Sequence, residues 1–136
     1  MIMAQPMNLF TVAQRGMSAQ LVRMNAAASN LANAGAVAGS ESAVYRPVRP
    51  VFSAETDASS GLSTVRVDRM MRENTAPIRR HAPDHPLADA NGDVWDSPVN
   101  ETAEMVEIME SSRQYQNLVE AIQTAKQLML ETMRSK

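Results

Sequence analysis

Residues 100–136 read NETAEMVEIMESSRQYQNLVEAIQTAKQLMLETMRSK, and this stretch decides the fold class. Met105, Ile108, Ser112, Tyr115, Val119, Ile122 and Met129 recur at helical spacing, so one face of a helix is apolar. Pro98 stops whatever precedes, Asn100 is a preferred N-cap, and Glu101 and Glu104 sit where the helix dipole favours acids. Arg134 and Lys136 lie at the end that favours cations. The pattern spans about 35 residues, longer than a typical globular helix, which points to a coiled coil or an assembled bundle.

A second stripe lies near the start of the chain. From about Asn8 to Asn33, apolar side chains fall at Phe10, Ala13, Met17, Leu21, Met24, Ala28 and Leu31. Asn8 is the expected N-cap, and Gly35 is placed to end the helix in a left-handed cap. Such a helix is roughly 39 Å long.

Between the helices the period changes. Tyr45–Phe52 and Leu62–Met70 are rich in Val and alternate with polar residues, so two short strands are expected there. Pro47 and Pro50 restrict the first to an edge or an irregular extended segment. From Ala76 to Ser97, Pro77, Pro83 and Pro86 leave room only for short extended pieces, and Asn91-Gly92 ahead of Asp93-Val94-Trp95 is a hairpin-turn signal. The fold class is therefore mainly α with a small β part. Two long terminal helices are expected to form a coiled-coil-like antiparallel pair, joined by a middle segment that contains a short β-hairpin. The expected organisation is an N-terminal helix in residues 1–35, an extended and β-rich segment in 36–98, and a C-terminal helix in 99–136.

Composition narrows function. The 136 residues include eleven Met but only 4% aromatics, so large rings that could centre a globular core are scarce. Met suits irregular gaps between packed helices. A net charge of −2 gives no footprint for nucleic acid. Without cysteine there is no disulfide, thiolate metal site or cysteine nucleophile. No run approaches the roughly 18 apolar residues of a membrane span. A basic start and apolar run of the secretory kind are also missing from Met1-Ile2-Met3-Ala4-Gln5-Pro6.

The strongest feature is a seam between helices. Late in the C-terminal helix, Leu118, Ala121, Ala125 and Leu128 run beside Val119, Ile122, Met129 and Met133. A two-helix hairpin covers only a narrow stripe, so further helices from neighbouring copies are expected on the rest. The competing reading is an ordinary hairpin closed over by the middle segment. The candidate assembly interface comprises Phe10, Met17, Leu21, Met24, Ala28, Asn30, Leu31 and Asn33 on the first helix. On the second it comprises Met105, Ile108, Tyr115, Leu118, Val119, Ile122, Ala125 and Met129. Asn25, Asn30 and Asn33 are poor interior helix formers and have two readings: hydrogen bonds that fix helix register, or exposure and capping.

Chemistry finds no foothold. His81, Asp84, His85 and Asp89 could share a metal only on a helix, which Pro83 and Pro86 forbid. Asp89–Asp93 puts glycine at the wrong place for a calcium loop and lacks the closing glutamate. Arg66, Arg69, Arg72, Arg79 and Arg80 are interleaved with Asp68 and Glu73, the pattern of a solvated face or an inter-subunit ion-pair surface. No phosphate loop or nucleophile elbow is present. Neither a catalytic residue, a cofactor, a metal nor a small-molecule substrate is expected.

Met24-Asn25-Ala26-Ala27-Ala28-Ser29-Asn30-Leu31-Ala32-Asn33-Ala34 resembles the N-terminal signature of flagellar rod, hook and hook-associated proteins. Three further pieces are similar to the FlgC-type, proximal-rod branch of that family. They are Tyr45-Arg46, Pro86-Leu87-Ala88-Asp89 leading to Gly92-Asp93-Val94, and Glu104-Met105-Val106 followed by Ser112-Arg113-Gln114-Tyr115-Gln116. Where many relatives carry Thr-Pro-Gly-Tyr, this chain has Gly35-Ala36-Val37-Ala38-Gly39-Ser40 before Tyr45. The first seven residues add little, so Met1, Met3 and Met7 are alternative starts.

The resemblance implies an axial subunit of the periplasmic rod in the flagellar basal body, exported by the flagellar type III apparatus without signal cleavage. Its partners would be its own copies and other rod proteins, and its terminal helices would form an inner tube. The alternatives are another rod subunit of FlgB type, or a soluble helical-hairpin regulator that binds a partner helix in its apolar groove.

Overall fold

The computed structural model describes residues 8–135; Lys136 and the alternative starts at Met1, Met3 and Met7 lie outside the described residues. Helix α1 spans Leu9–Ala32 and helix α2 spans Glu101–Arg134. Between them lie β1 (Val37–Ala38), β2 (Val48–Thr56), β3 (Ser63–Arg72), β4 (Ile78–His81) and β5 (Asp93–Asp96).

Both helix starts are capped as their sequences require. Asn8 Oδ1 accepts from Thr11 N at 3.0 Å, and Asn100 Oδ1 accepts from Ala103 N at 3.1 Å. The end of α1 departs from expectation. Gly35 does not take up a left-handed conformation, and Asn33 caps the helix with its own amide, donating from Nδ2 to Ser29 O at 2.8 Å. The cap thus comes two residues earlier than a glycine stop would place it.

The strands also shift. The expected Tyr45–Phe52 and Leu62–Met70 become Val48–Thr56 and Ser63–Arg72, paired antiparallel with a bulge between Val51 and Phe52. Tyr45 is drawn out of the strand because its hydroxyl donates to Asn30 Oδ1 on α1 at 2.8 Å. Pro50 is tolerated in β2 because the sheet has only two strands, so β2 keeps an outer edge with no strand partner among the described residues. A second sheet has the order β1-β5-β4, with β5 antiparallel to both neighbours. Gly92 precedes β5 at φ +77°, and a β-carbon there would lie 3.1 Å from Pro83 Cβ. The Asn91-Gly92 turn signal is therefore real, but it closes a long connection from β4 rather than a two-residue hairpin.

Helix α1 is the centre of the molecule. It packs against α2 on one side and against β2 and β3 on another, while α2 packs its backbone against α1 and meets the sheets through the Arg49–Glu104 contact to β2. The contacts advance along α1 as they retreat along α2. Gly16 meets Leu118, Arg23 meets Glu107, and Asn30 meets Glu104. The middle segment therefore closes over α1, as the simple-hairpin reading expected, but leaves most of α2 uncovered.

Small residues make the close approach. Ala13, Ala19, Ala26 and Ala27 are buried on α1, and Ser111 is buried on α2. The largest fully buried side chains are Glu104, Val94, Asn30 and Ser111, three of them polar. A subunit with so little buried large apolar surface draws modest stability from its own core.

Candidate assembly interface

Two surfaces matter, one buried within the subunit and one presented outward. The buried one centres on Glu104. Its carboxylate is 1% exposed and receives Arg49 from both ends of the guanidinium fork, with Nη1 to Oε2 at 2.9 Å and Nη2 to Oε1. Asn30 Nδ2 donates to the same Oε2 at 3.2 Å. Arg49 also donates from Nε to Glu73 Oε1 at 2.8 Å. The hydrogen bond to Glu104, reinforced by Glu73 and opposed by burial, raises the guanidinium pKa further above its already high ordinary value. The charge is thus permanent.

Asn30 is satisfied on every side. Its Oδ1 accepts from Val48 N and from Tyr45 Oη, each at 2.8 Å, and its Nδ2 donates to Val48 O at 3.0 Å. Arg72 lies over the Tyr45 ring, 4.9 Å from its centroid. The three helix asparagines therefore divide: Asn30 ties α1 to β2 and α2, Asn33 caps, and Asn25 is exposed.

The outward surface is apolar. Leu9, Phe10, Val12 and Ala13 meet Leu118, Ala121, Ile122 and Ala125 around a cavity of about 140 Å³ between the helices. Beyond Ala125, α2 runs on for roughly 14 Å at 1.5 Å per residue. Leu128 is 58% and Met133 67% exposed there, with Met129 and Leu130 beside them. At the other end of α2, Met105, Val106 and Met109 are also exposed, Met109 at 71%. On α1, Leu21 and Ala28 face outward while Met17, Met24 and Leu31 are half-buried.

The sixteen candidate residues therefore fall into distinct places. Leu21, Ala28, Met105 and Met129 are presented to solvent. Phe10, Leu118, Ile122 and Ala125 line the seam within the subunit, with Met17, Met24, Leu31, Ile108, Tyr115 and Val119 half-buried. Asn30 and Asn33 serve the subunit's own fold. Sequence reasoning missed Glu104, Arg49, Tyr45 and Glu73 as a group. Only the oddity of Asn inside a helix hinted at a polar centre.

The four residues weighed for a metal act in turns and strand contacts. Asp89 Oδ1 accepts from Asn91 N and Asp93 N, each at 2.9 Å, and His85 Nδ1 accepts from Leu87 N at 3.0 Å. His81 Nδ1 lies 3.0 Å from Asp93 Oδ1, and Arg79 Nε donates to Asp93 Oδ2 at 2.7 Å. These bonds, His81 first and then Arg79, hold the Asp93 carboxyl below its ordinary range. Among the described residues no group of three or more His, Cys, Asp or Glu is arranged to hold a metal. No described helix is long and apolar enough to cross a membrane.

Residues 10–39, which hold most of α1 and its cap, match the flagella basal body rod protein family. Residues 90–135, which hold β5 and α2, match the C-terminal family of flagellar basal body rod FlgEFG proteins. The flagellar basal-body rod protein FlgC of Salmonella typhimurium is 40% identical over 93% of this chain and 95% of its own length. The chain belongs to the FlgC-type flagellar basal-body rod proteins. The FlgC of Yersinia enterocolitica is likewise 40% identical over 93% of the chain, and that of Escherichia coli O157:H7 is 37% identical over the same share. Like its relatives, a FlgC-type protein is a structural subunit of the flagellar basal-body rod, which works in assembly with other rod proteins. This is not an enzyme family.

Proposed function

We propose that this FlgC-type chain builds the proximal rod by helical assembly through its terminal helices and passes motor torque along the axis. In this reading α1 and α2, from the segments 1–35 and 99–136, form a coiled-coil-like antiparallel pair in an inner tube. Residues 36–98 lie outside it. The subunit reaches the periplasmic rod through the flagellar type III apparatus, without signal cleavage, and has no catalytic role.

The observation that carries the proposal is the uncovered length of α2. Leu128, Met129, Leu130 and Met133 are all at least half exposed on a segment that extends past the start of α1. Exposed large apolar side chains concentrated on one helix end are the mark of an interaction site. Within a rod its natural occupants are the helices of neighbouring subunits. The order of contacts between α1 and α2 supports the antiparallel pairing, and the small residues between them support the close approach of a packed helical layer.

Leu21→Asp and Leu128→Asp test it, because both side chains are exposed in the subunit and should not disturb its folding. In a strain lacking the wild-type copy, each variant should be produced and exported yet fail to complete rods. Normal rods and normal swimming with either variant would refute the interface.

A further inference from the structure

Glu104 belongs to α2, but everything that receives it belongs to the rest of the chain. Arg49 is on β2 and Asn30 on α1, and each is held by groups that do not involve α2. Arg49 uses Nε to bind Glu73, and Glu73 N donates to Pro47 O at 2.8 Å, which fixes Glu73 against the root of β2. That leaves Nη1 and Nη2 of Arg49 for Glu104, so the two carboxylates use different edges of one guanidinium and do not compete. Asn30 is set by Val48 and Tyr45 through three hydrogen bonds, and its Nδ2 also reaches Glu104 Oε2.

We propose that Asn30 and Arg49 form a ready-made receptor for Glu104, a latch that α2 closes last and in a single register. The proposal concerns the chain's own folding and stands whether or not α2 is the rod interface. Glu101, Glu104, Glu107 and Glu110 recur every third residue on α2, so charge alone would allow the helix to enter one step out of place. The receptor is discriminating because the carboxylate it takes is buried, Glu104 being 1% exposed. It supplies three donors to one carboxylate, and a carboxylate that reached the same depth without them would be strongly disfavoured. Arg23 then takes Glu107, with Nε donating to Oε1 at 2.8 Å, and confirms the register one turn along.

Hydrogen exchange on the full-length chain tests the latch, with wild type, Glu104→Gln, Glu73→Gln and Glu101→Gln compared. Glu104→Gln should speed exchange across residues 101–111 by roughly ten- to a hundredfold, the scale of losing charge-assisted hydrogen bonds. Protection in β2, β3 and residues 26–32 should persist. Glu73→Gln should act in the same direction but less, through a looser Arg49, and Glu101→Gln should change nothing. If α2 already exchanges freely in the wild type, the receptor must still be protected on its own. Loss of β2, β3 and 26–32 in step with α2, in wild type or in Glu104→Gln, would overturn the proposal. So would an α2 indifferent to Glu104→Gln in a chain where it is otherwise protected.

Discussion

Gly16 of α1 lies directly beneath Leu118 of α2, and a β-carbon at position 16 would come within 3.1 Å of Leu118 Cδ1. The absent side chain lets the helices approach at this point. Leu118 is half-buried and its methyl can give by a few tenths of an ångström. Gly16→Ala should therefore change stability by less than about 1 kcal/mol, because better helix propensity offsets the push. Gly16→Leu should cost about 1–3 kcal/mol by overpacking. Denaturant titration of both variants checks the contrast.

Asn30 and Asn25 lie on the same helix and should respond in opposite ways. Asn30→Ala leaves Val48 N and Glu104 short of partners in a buried place, at a cost of about 2–4 kcal/mol. Asn25→Ala replaces an exposed, poor helix former by the best one and should stabilise by up to about 0.7 kcal/mol. Equal effects in thermal or denaturant unfolding would refute the assignment of the buried role to Asn30.

Asp93 links the β4–β5 pairing to pH. Its carboxyl titrates below the ordinary range because His81 and Arg79 bond to the charged form. A depressed folded value means that the stabilisation is fully present above the unfolded pKa and is lost as pH falls through the folded one. The pairing should therefore hold at neutral pH and loosen only below about pH 4. Trp95, the single tryptophan, sits in β5 beside this group and reports it by fluorescence. Asp93→Asn should abolish the acid transition in that signal, and an unchanged transition would contradict the assignment.

The helices were legible in the sequence because their apolar spacing, Asn8 and Asn100 caps and terminal charges all agree. Three things were not legible. Of the stripe Phe10, Ala13, Met17, Leu21, Met24, Ala28 and Leu31, Ala13 is buried, Phe10, Met17, Met24 and Leu31 are half-buried and Leu21 and Ala28 are exposed, while Ala19, Ala26, Ala27 and Asn30 off the stripe are buried. Alanines are too common in this helix for period alone to choose a face, and α1 has to serve both α2 and β2–β3. The latch joins residues 30, 49, 73 and 104, which no local spacing connects. β2 starts at Val48 rather than Tyr45, whose hydroxyl instead bonds Asn30, a contact set by tertiary packing.

Leu128→Ser with Met129→Ser separates folding from assembly. Both side chains are at least half exposed, so the subunit's own stability should change by less than about 0.5 kcal/mol. Ile122→Asp, by contrast, places a charge at the α1–α2 seam and should destabilise the subunit by several kcal/mol. Rod completion in complemented cells should fail for both, while circular dichroism of the purified chains should distinguish them. A double-serine variant that builds normal rods would count against α2 as the interface.

The most direct test is a cryo-EM map of basal bodies in which this chain is traced. Leu21, Leu128 and Met133, exposed in the single subunit, should lie packed against helices of neighbouring rod subunits in an inner tube, with β2–β3 outside. A map in which these side chains remain open to solvent and subunits touch only through residues 36–98 would contradict it.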